Sequence, residues 1–156
     1  MTVNRSDVAG VIAPPPLLFF VPLAIGVALN YFFPLTFLPR DLALILAAPF
    51  IAVGAILSGW AFRAFTRANT PPEPWEPTRA LIVDGPFRFT RNPIYLAFTL
   101  IYIGVTFGFN AGWAAIFLPF VLFTLQRGMI AREEKYLEKK FGDAYRAYKA
   151  RVRKWI

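Results

Sequence analysis

Arg88 and Arg91 stand three residues apart in the stretch Gly85-Pro86-Phe87-Arg88-Phe89-Thr90-Arg91-Asn92-Pro93-Ile94-Tyr95. Proline fits the first turn of a helix, because its missing N–H would be unpaired there in any case. The residue before it is pushed towards extended geometry, and asparagine is a good helix cap. The spacing therefore predicts a helix that starts at Pro93, with Asn92 at its mouth and both arginines just outside. A helix N-terminus carries partial positive charge, so two neighbouring guanidinium groups make the spot attractive to a carboxylate or a phosphate. The plainer alternative is that these arginines anchor a membrane helix at the lipid headgroups. Histidine and cysteine are both absent, which removes the commonest general base, the commonest metal ligands and any disulfide.

The elements that must position these residues belong to a membrane protein. Hydrophobic residues make up 57% of the 156 and aromatic residues 17%, and several uncharged runs are long enough to cross a bilayer. A soluble fold would have to wrap helices that are apolar all round, and a chain of this length has too little polar material to do so. The net charge of +8 does not point to nucleic acid, because it is concentrated beside a membrane segment. From Arg127 onward there are ten Lys or Arg against four acids, a pattern expected for cytoplasmic retention and contact with anionic lipid. The N-terminus has no basic region followed by a small-residue cleavage site, so no cleaved signal peptide is expected.

Residues 1–16 are polar and then proline-rich, and are expected at the membrane surface or poorly ordered. Leu17–Leu38 carries no charge over 22 residues, about 33 Å of helix, with kinks expected from Pro22 and Pro34. A turn at Pro39-Arg40-Asp41 leads to a second uncharged run, Leu42–Phe62, ended by Arg63 and Arg67. Gly54, Ser58 and Gly59 offer small surfaces for close helix packing there. Residues 68–92 form a long polar connection whose prolines forbid regular helix. Trp75 and Ala80-Leu81-Ile82-Val83 predict that it is ordered and packs back onto the membrane domain.

Pro93–Gln126 is uncharged over 34 residues, about 51 Å as one helix, which overshoots the bilayer core. Gly108-Phe109-Asn110-Ala111-Gly112 has turn chemistry, so two helices are expected. This hairpin also brings the basic ends, Arg88/Arg91 and Arg127/Arg132, to one side. The fold expected is all-α and integral to the membrane. It has about four transmembrane helices, both termini and the 68–92 loop cytoplasmic, and a C-terminal helical tail. The fourth helix should run on to Phe141, stop at Gly142 and resume from a cap at Asp143. Leu137, Phe141, Tyr145, Tyr148 and Val152 form an amphipathic stripe, suited either to the lipid interface or to covering the polar loop.

Three segments, Gly85-Pro86-Phe87-Arg88, Arg91-Asn92-Pro93-Ile94-Tyr95, and Arg132-Glu133-Glu134 with Phe141-Gly142-Asp143-Ala144-Tyr145-Arg146-Ala147-Tyr148, resemble the isoprenylcysteine carboxyl methyltransferase family and its bacterial relatives. Those relatives include phospholipid N-methyltransferases. The resemblance covers residues 69–156 and is weak in the first two helices. It implies a single membrane domain, with two N-terminal helices in 1–66 and a cofactor-binding half in 67–156. It further implies S-adenosyl-L-methionine as cofactor, a lipophilic or lipid substrate entering from the bilayer, and a bacterial inner membrane as location. Position by position, it assigns Arg91, Asn92, Pro93 and Tyr95 to a first cofactor motif, and Glu133, Glu134, Phe141, Tyr145 and Tyr148 to a second. Arg91, Asn92, Tyr95 and Glu134 are the candidates for the catalytic centre. The isoprenylcysteine enzymes resemble this pattern with histidine where Asn92 stands, which leaves the methyl acceptor open.

The chemistry suits the residues. A carboxylate such as Glu134 can accept hydrogen bonds from the cofactor's ribose diol or ammonium group, and Arg91 can pair with its carboxylate. Aromatic faces attract a sulfonium by roughly 0.5–2 kcal/mol. Methyl transfer mainly needs positioning and water exclusion. A carboxylate acceptor needs no general base, whereas an amine must shed a proton, which calls for a base near Tyr95 or Glu134. The competing account of Glu133 and Glu134 is a solvated helix face paired with nearby cations. Other functions open at this point are a non-catalytic membrane scaffold, or a reductase using a nicotinamide cofactor.

Overall fold

The computed structural model describes residues 8–156. The expectation for the first few residues therefore lies partly outside the described chain. All regular structure among the described residues is helical: α1 (Pro15–Phe32), α2 (Arg40–Arg67), α3 (Pro93–Gly108), α4 (Gly112–Leu125) and α5 (Ala131–Arg151). A short 3₁₀ turn at Gly85–Arg88 precedes α3, and a π turn at Gln126–Ile130 joins α4 to α5 without a break. Three helical stretches are long and apolar enough to cross a membrane, beginning at Pro15, Arg40 and Gly112. The fourth, α3, is apolar but has only 16 residues, about 24 Å. The all-α membrane architecture is as the sequence predicted.

Several boundaries differ. The first helix stops at Phe32 rather than Leu38, because Pro34 disfavours helical geometry at Phe33 and the Asn30 side chain accepts the Leu35 N–H at 3.0 Å. It continues through Pro22, which lies inside it. The second helix begins at Arg40, inside the expected turn, and runs on through Arg63 to Arg67. Charged side chains end the membrane span without ending the helix.

α2 lies along α3 and α1 along α4, while the consecutive α3 and α4 touch little. Gly54 and Gly104 set the first of these contacts. A Cβ on Gly104 would come within 2.9 Å of the Ile51 amide nitrogen, and one on Gly54 within 2.8 Å of the Ala97 carbonyl. Missing side chains thus let two backbones approach, as in membrane helix pairs generally. Gly59 takes no part, since nothing lies within 4 Å of the position its Cβ would occupy. The bundle core holds Phe19, Tyr102, Leu125, Met129 and Ile130, and the Tyr102 hydroxyl donates to the Ala114 carbonyl at 2.9 Å.

The α3–α4 turn closes the end of the bundle away from the arginines. Asn110 has a positive φ of 48°, which asparagine tolerates better than most residues. Its side-chain oxygen accepts the Phe37 and Leu38 amides, and its nitrogen donates to the Leu38 carbonyl. The Trp113 indole donates to the Phe33 carbonyl at 2.8 Å.

At the other end, the 68–92 segment is tied down. The Thr70 hydroxyl accepts the Arg79 and Ala80 amides at 2.8 and 2.9 Å, and the Thr78 amide donates to the Tyr136 hydroxyl. Leu81, Ile82 and Val83 pack into a second apolar cluster around Phe87, Tyr145 and Tyr148, joined by Leu137, Phe141 and Val152. The amphipathic stripe therefore covers the loop. Trp75 departs from expectation, being 46% exposed. Gly142 breaks α5 with φ 52° and ψ −124°, so a stop and restart occur where the sequence placed them.

Candidate active site

The polar end of the bundle encloses a cavity between the mouth of α3, the first turns of α5 and the 70–82 loop. Arg91, Asn92, Pro93 and Tyr95 line it from one side, Glu133 and Glu134 from another, and Tyr145 and Tyr148 from beyond the α5 break. Eight of the nine residues singled out from the sequence thus face one space. Phe141 does not line it; it packs in the apolar cluster behind Tyr145 and Tyr148.

Arg91 and Glu134 form an ion pair at 3.1 Å, with side chains only 9% and 14% exposed. The pair is close but poorly aligned. Arg91 Nε and Nη1 and Glu134 Oε1 are all buried without an aligned hydrogen bond. Buried polar atoms left in this state are costly, and here three of them, two donors and one acceptor, sit together at the cavity. The Tyr95 hydroxyl donates to Glu133 Oε1. Glu133 lies beyond the apolar run that ends at Gln126, and burial of its carboxyl behind Tyr95 raises its pKa to about 7, against an opposing effect of the Tyr95 hydrogen bond.

Asn92 differs from expectation. Its side chain makes no capping bond to α3. Its nitrogen donates to the Lys154 carbonyl at 2.8 Å, so the amide is turned to the C-terminal strap, residues 152–156, rather than to the helix amides. α3 begins without a side-chain cap because the strap's Lys154 carbonyl takes the Asn92 amide instead.

Two groups escaped the sequence reading. Lys154 Nζ lies 3.0 Å from Glu134 Oε2, and in the sequence it was one of many cations in a basic tail. Pro71, Pro72 and Pro74 line the cavity, although from local pattern they are only helix breakers. Their proximity to Tyr136 and Leu137 depends on the loop folding back, which no local pattern encodes.

Fold and site together define a helical membrane protein with a cavity at one end of its bundle, its lining mostly apolar around a few charged groups. Residues 42–144 match the model of the phospholipid methyltransferase family, and the chain belongs to that family of membrane methyltransferases. A relative from Haemophilus influenzae, described as an uncharacterized protein, is 43% identical over 65 residues, which are 40% of this chain and all of that protein. No solved structure matches the chain.

Proposed function

We propose that the protein transfers a methyl group from S-adenosylmethionine to the amine of a lipophilic acceptor, an aminophospholipid, drawn from the bilayer. The observation that carries this reading is the Arg91–Glu134 pair, whose orphaned donors and acceptor complement an α-amino acid. A carboxylate end would satisfy Arg91 Nε and Nη1, and an ammonium end would satisfy Glu134 Oε1. The aromatic rings of Tyr145 and Tyr148 and the proline wall suit a nucleoside. When bound, the cofactor supplies an electrophilic methyl group. Family membership supports the same cofactor class.

The rest of the cavity handles the proton. A protonated amine has no lone pair to offer, so one N–H proton must leave before the C–N bond forms. Glu133 is the acceptor, ionised above about pH 7, and Tyr95 holds its carboxyl in place. A base with a pKa near the working pH combines a useful ionised fraction with proton affinity. On this reading Asn92, being committed to the strap, is a positioning residue.

With the shorter α3 counted as a fourth span, the described residues before α1 and after α5 fall on one side, the side of the basic residues Arg63, Arg67, Arg127 and Arg132. We infer that this side is cytoplasmic. An isoprenylcysteine-type carboxylate is the rival acceptor, and it requires no base. Purified protein in nanodiscs, given labelled S-adenosylmethionine, should methylate an aminophospholipid and leave a prenylated cysteine carboxylate untouched. Labelling of the carboxylate alone would replace the acceptor. Failure of S-adenosylhomocysteine to bind in calorimetry would remove the cofactor reading altogether.

A further inference from the structure

The C-terminal strap is held against the mouth of α3 by three successive residues of the Thr90-Arg91-Asn92 stretch. The Arg91 amide donates to the Arg153 carbonyl at 3.0 Å. The Thr90 hydroxyl and the Asn92 side-chain nitrogen both donate to the Lys154 carbonyl, at 3.1 and 2.8 Å. Val152 packs in the apolar cluster of the cap, and Trp155 packs against the bundle core. The main chain on both sides of Lys154 is therefore fixed, and its side chain turns inward to Glu134 Oε2 at 3.0 Å.

This arrangement divides the two oxygens of Glu134 between two cations. Lys154 takes Oε2, and Oε1 lies beside Arg91, buried and without an aligned bond. A lysine on a free tail would contribute little, since an exposed ion pair must offset the entropy of ordering a long side chain. Here the double clamp on its own carbonyl has already ordered the backbone, and its side chain is only 29% exposed.

We propose that Lys154 is a positioning residue of the cofactor site: it fixes the Glu134 carboxylate through Oε2, so that Oε1, which the misaligned Arg91 faces at 3.1 Å, is held toward the ammonium group of an amino-acid ligand. Thr90 and Asn92 act on the site through the strap that carries Lys154. The inference rests on the cofactor reading above, and its test separates the two.

Calorimetry on the full chain in nanodiscs would use two probes, S-adenosylhomocysteine and 5′-methylthioadenosine, which shares the nucleoside but lacks the amino-acid end. The wild type should bind the first more tightly. Lys154→Met should weaken S-adenosylhomocysteine about tenfold or more, because a Glu134 carboxylate no longer held through Oε2 loses its bond to the ligand's ammonium group, and leave 5′-methylthioadenosine unchanged. Lys154→Arg should restore most of the affinity, and Asn92→Ala should reproduce the Lys154→Met pattern with the lysine intact. Unchanged S-adenosylhomocysteine affinity in Lys154→Met overturns the inference while the cofactor reading stands. Equal weakening of both probes also overturns it, because the strap would then only close the fold. A wild type that binds neither probe, or binds both equally, defeats the cofactor reading and this inference with it.

Discussion

Where α2 meets α3, contact depends on side chains that are missing; at the polar cap it depends on groups that are paired. Gly54 and Gly104 let two apolar helices approach until one added carbon would strike backbone. In lipid there is little hydrophobic gain from helix association, so close packing must supply the order. In the cap, Thr70, Thr90, Asn92, Tyr136 and Tyr148 tie loop, helix mouth and strap together through side-chain hydrogen bonds. The bundle has one good arrangement and resists change. The cap is assembled from many weaker links between distant chain segments. Placing the cavity in the cap joins a rigid support to a site whose polar atoms are not all committed.

Gly104→Leu should break this contrast most severely. Overpacking a well-filled contact costs about 1–3 kcal/mol and occasionally more, and here the obstacle is the Ile51 backbone. The expected result is a large drop in thermal unfolding temperature in detergent, with the polar cap unchanged in sequence. A variant that unfolds at the wild-type temperature would show that α2 and α3 do not rely on close approach.

Glu134→Gln should produce the opposite pattern, a binding defect larger than its stability defect. S-adenosylhomocysteine affinity should fall by about 1–3 kcal/mol as one charge-assisted bond is lost, read by calorimetry. Arg91→Ala should behave similarly. Unaltered affinity in both folded variants would return the two residues to the status of a structural ion pair.

Glu133→Gln sharpens the comparison through pH. In the wild type, methylation of an amine should rise through about pH 7 as the carboxyl ionises, and the variant should lose that inflection along with most of its rate. The stability signature has a definite sign. An acid whose folded pKa is raised from 4.5 to about 7 favours the folded state fully below pH 4.5 and progressively less up to pH 7. The Gln variant should therefore gain on the wild type as pH rises through that window. A wild-type profile identical to that of Glu133→Gln would remove the base from the mechanism.

The smallest effect is expected at the far end of the bundle. Asn110→Ala removes the bonds to Phe37 and Leu38 and should cost about 1–2 kcal/mol of stability with no change in S-adenosylhomocysteine affinity. A change in that affinity would show that the two ends of the bundle are coupled.

The helices were legible because charge, length and proline are local signals. The 34 uncharged residues after Asn92 forced a hairpin, and Gly142 announced a positive φ. Most of the cavity lining proposed as the site was legible too, since Arg91, Tyr95, Glu133 and Glu134 fall in short motifs on both sides of that hairpin. What escaped depends on distant chain segments meeting. Asn92 has the composition of a helix cap, and only the returning strap gives its amide a different partner. Lys154 looks like any cation near a membrane until Thr90 and Asn92 hold its carbonyl. The prolines of the loop stop helices wherever they occur, and they become a wall only when the loop folds against α5.

The π turn at Gln126–Ile130 preserves the rotational phase between membrane and cavity. A π turn holds one more residue than the α turn it replaces, and each residue of an α-helix advances the face by about 100°. Met129 and Ile130 are buried in the bundle, while Glu133 and Glu134, a few positions on, reach the cavity. Deleting a single residue from the turn would let α4 and α5 fuse as regular helix, with both carboxylates kept near their present face because the turn spends its extra residue on the same rotation. Such a deletion should leave the helix content by circular dichroism intact and retain S-adenosylhomocysteine binding, and lost binding would show that the extra residue itself shapes the cavity.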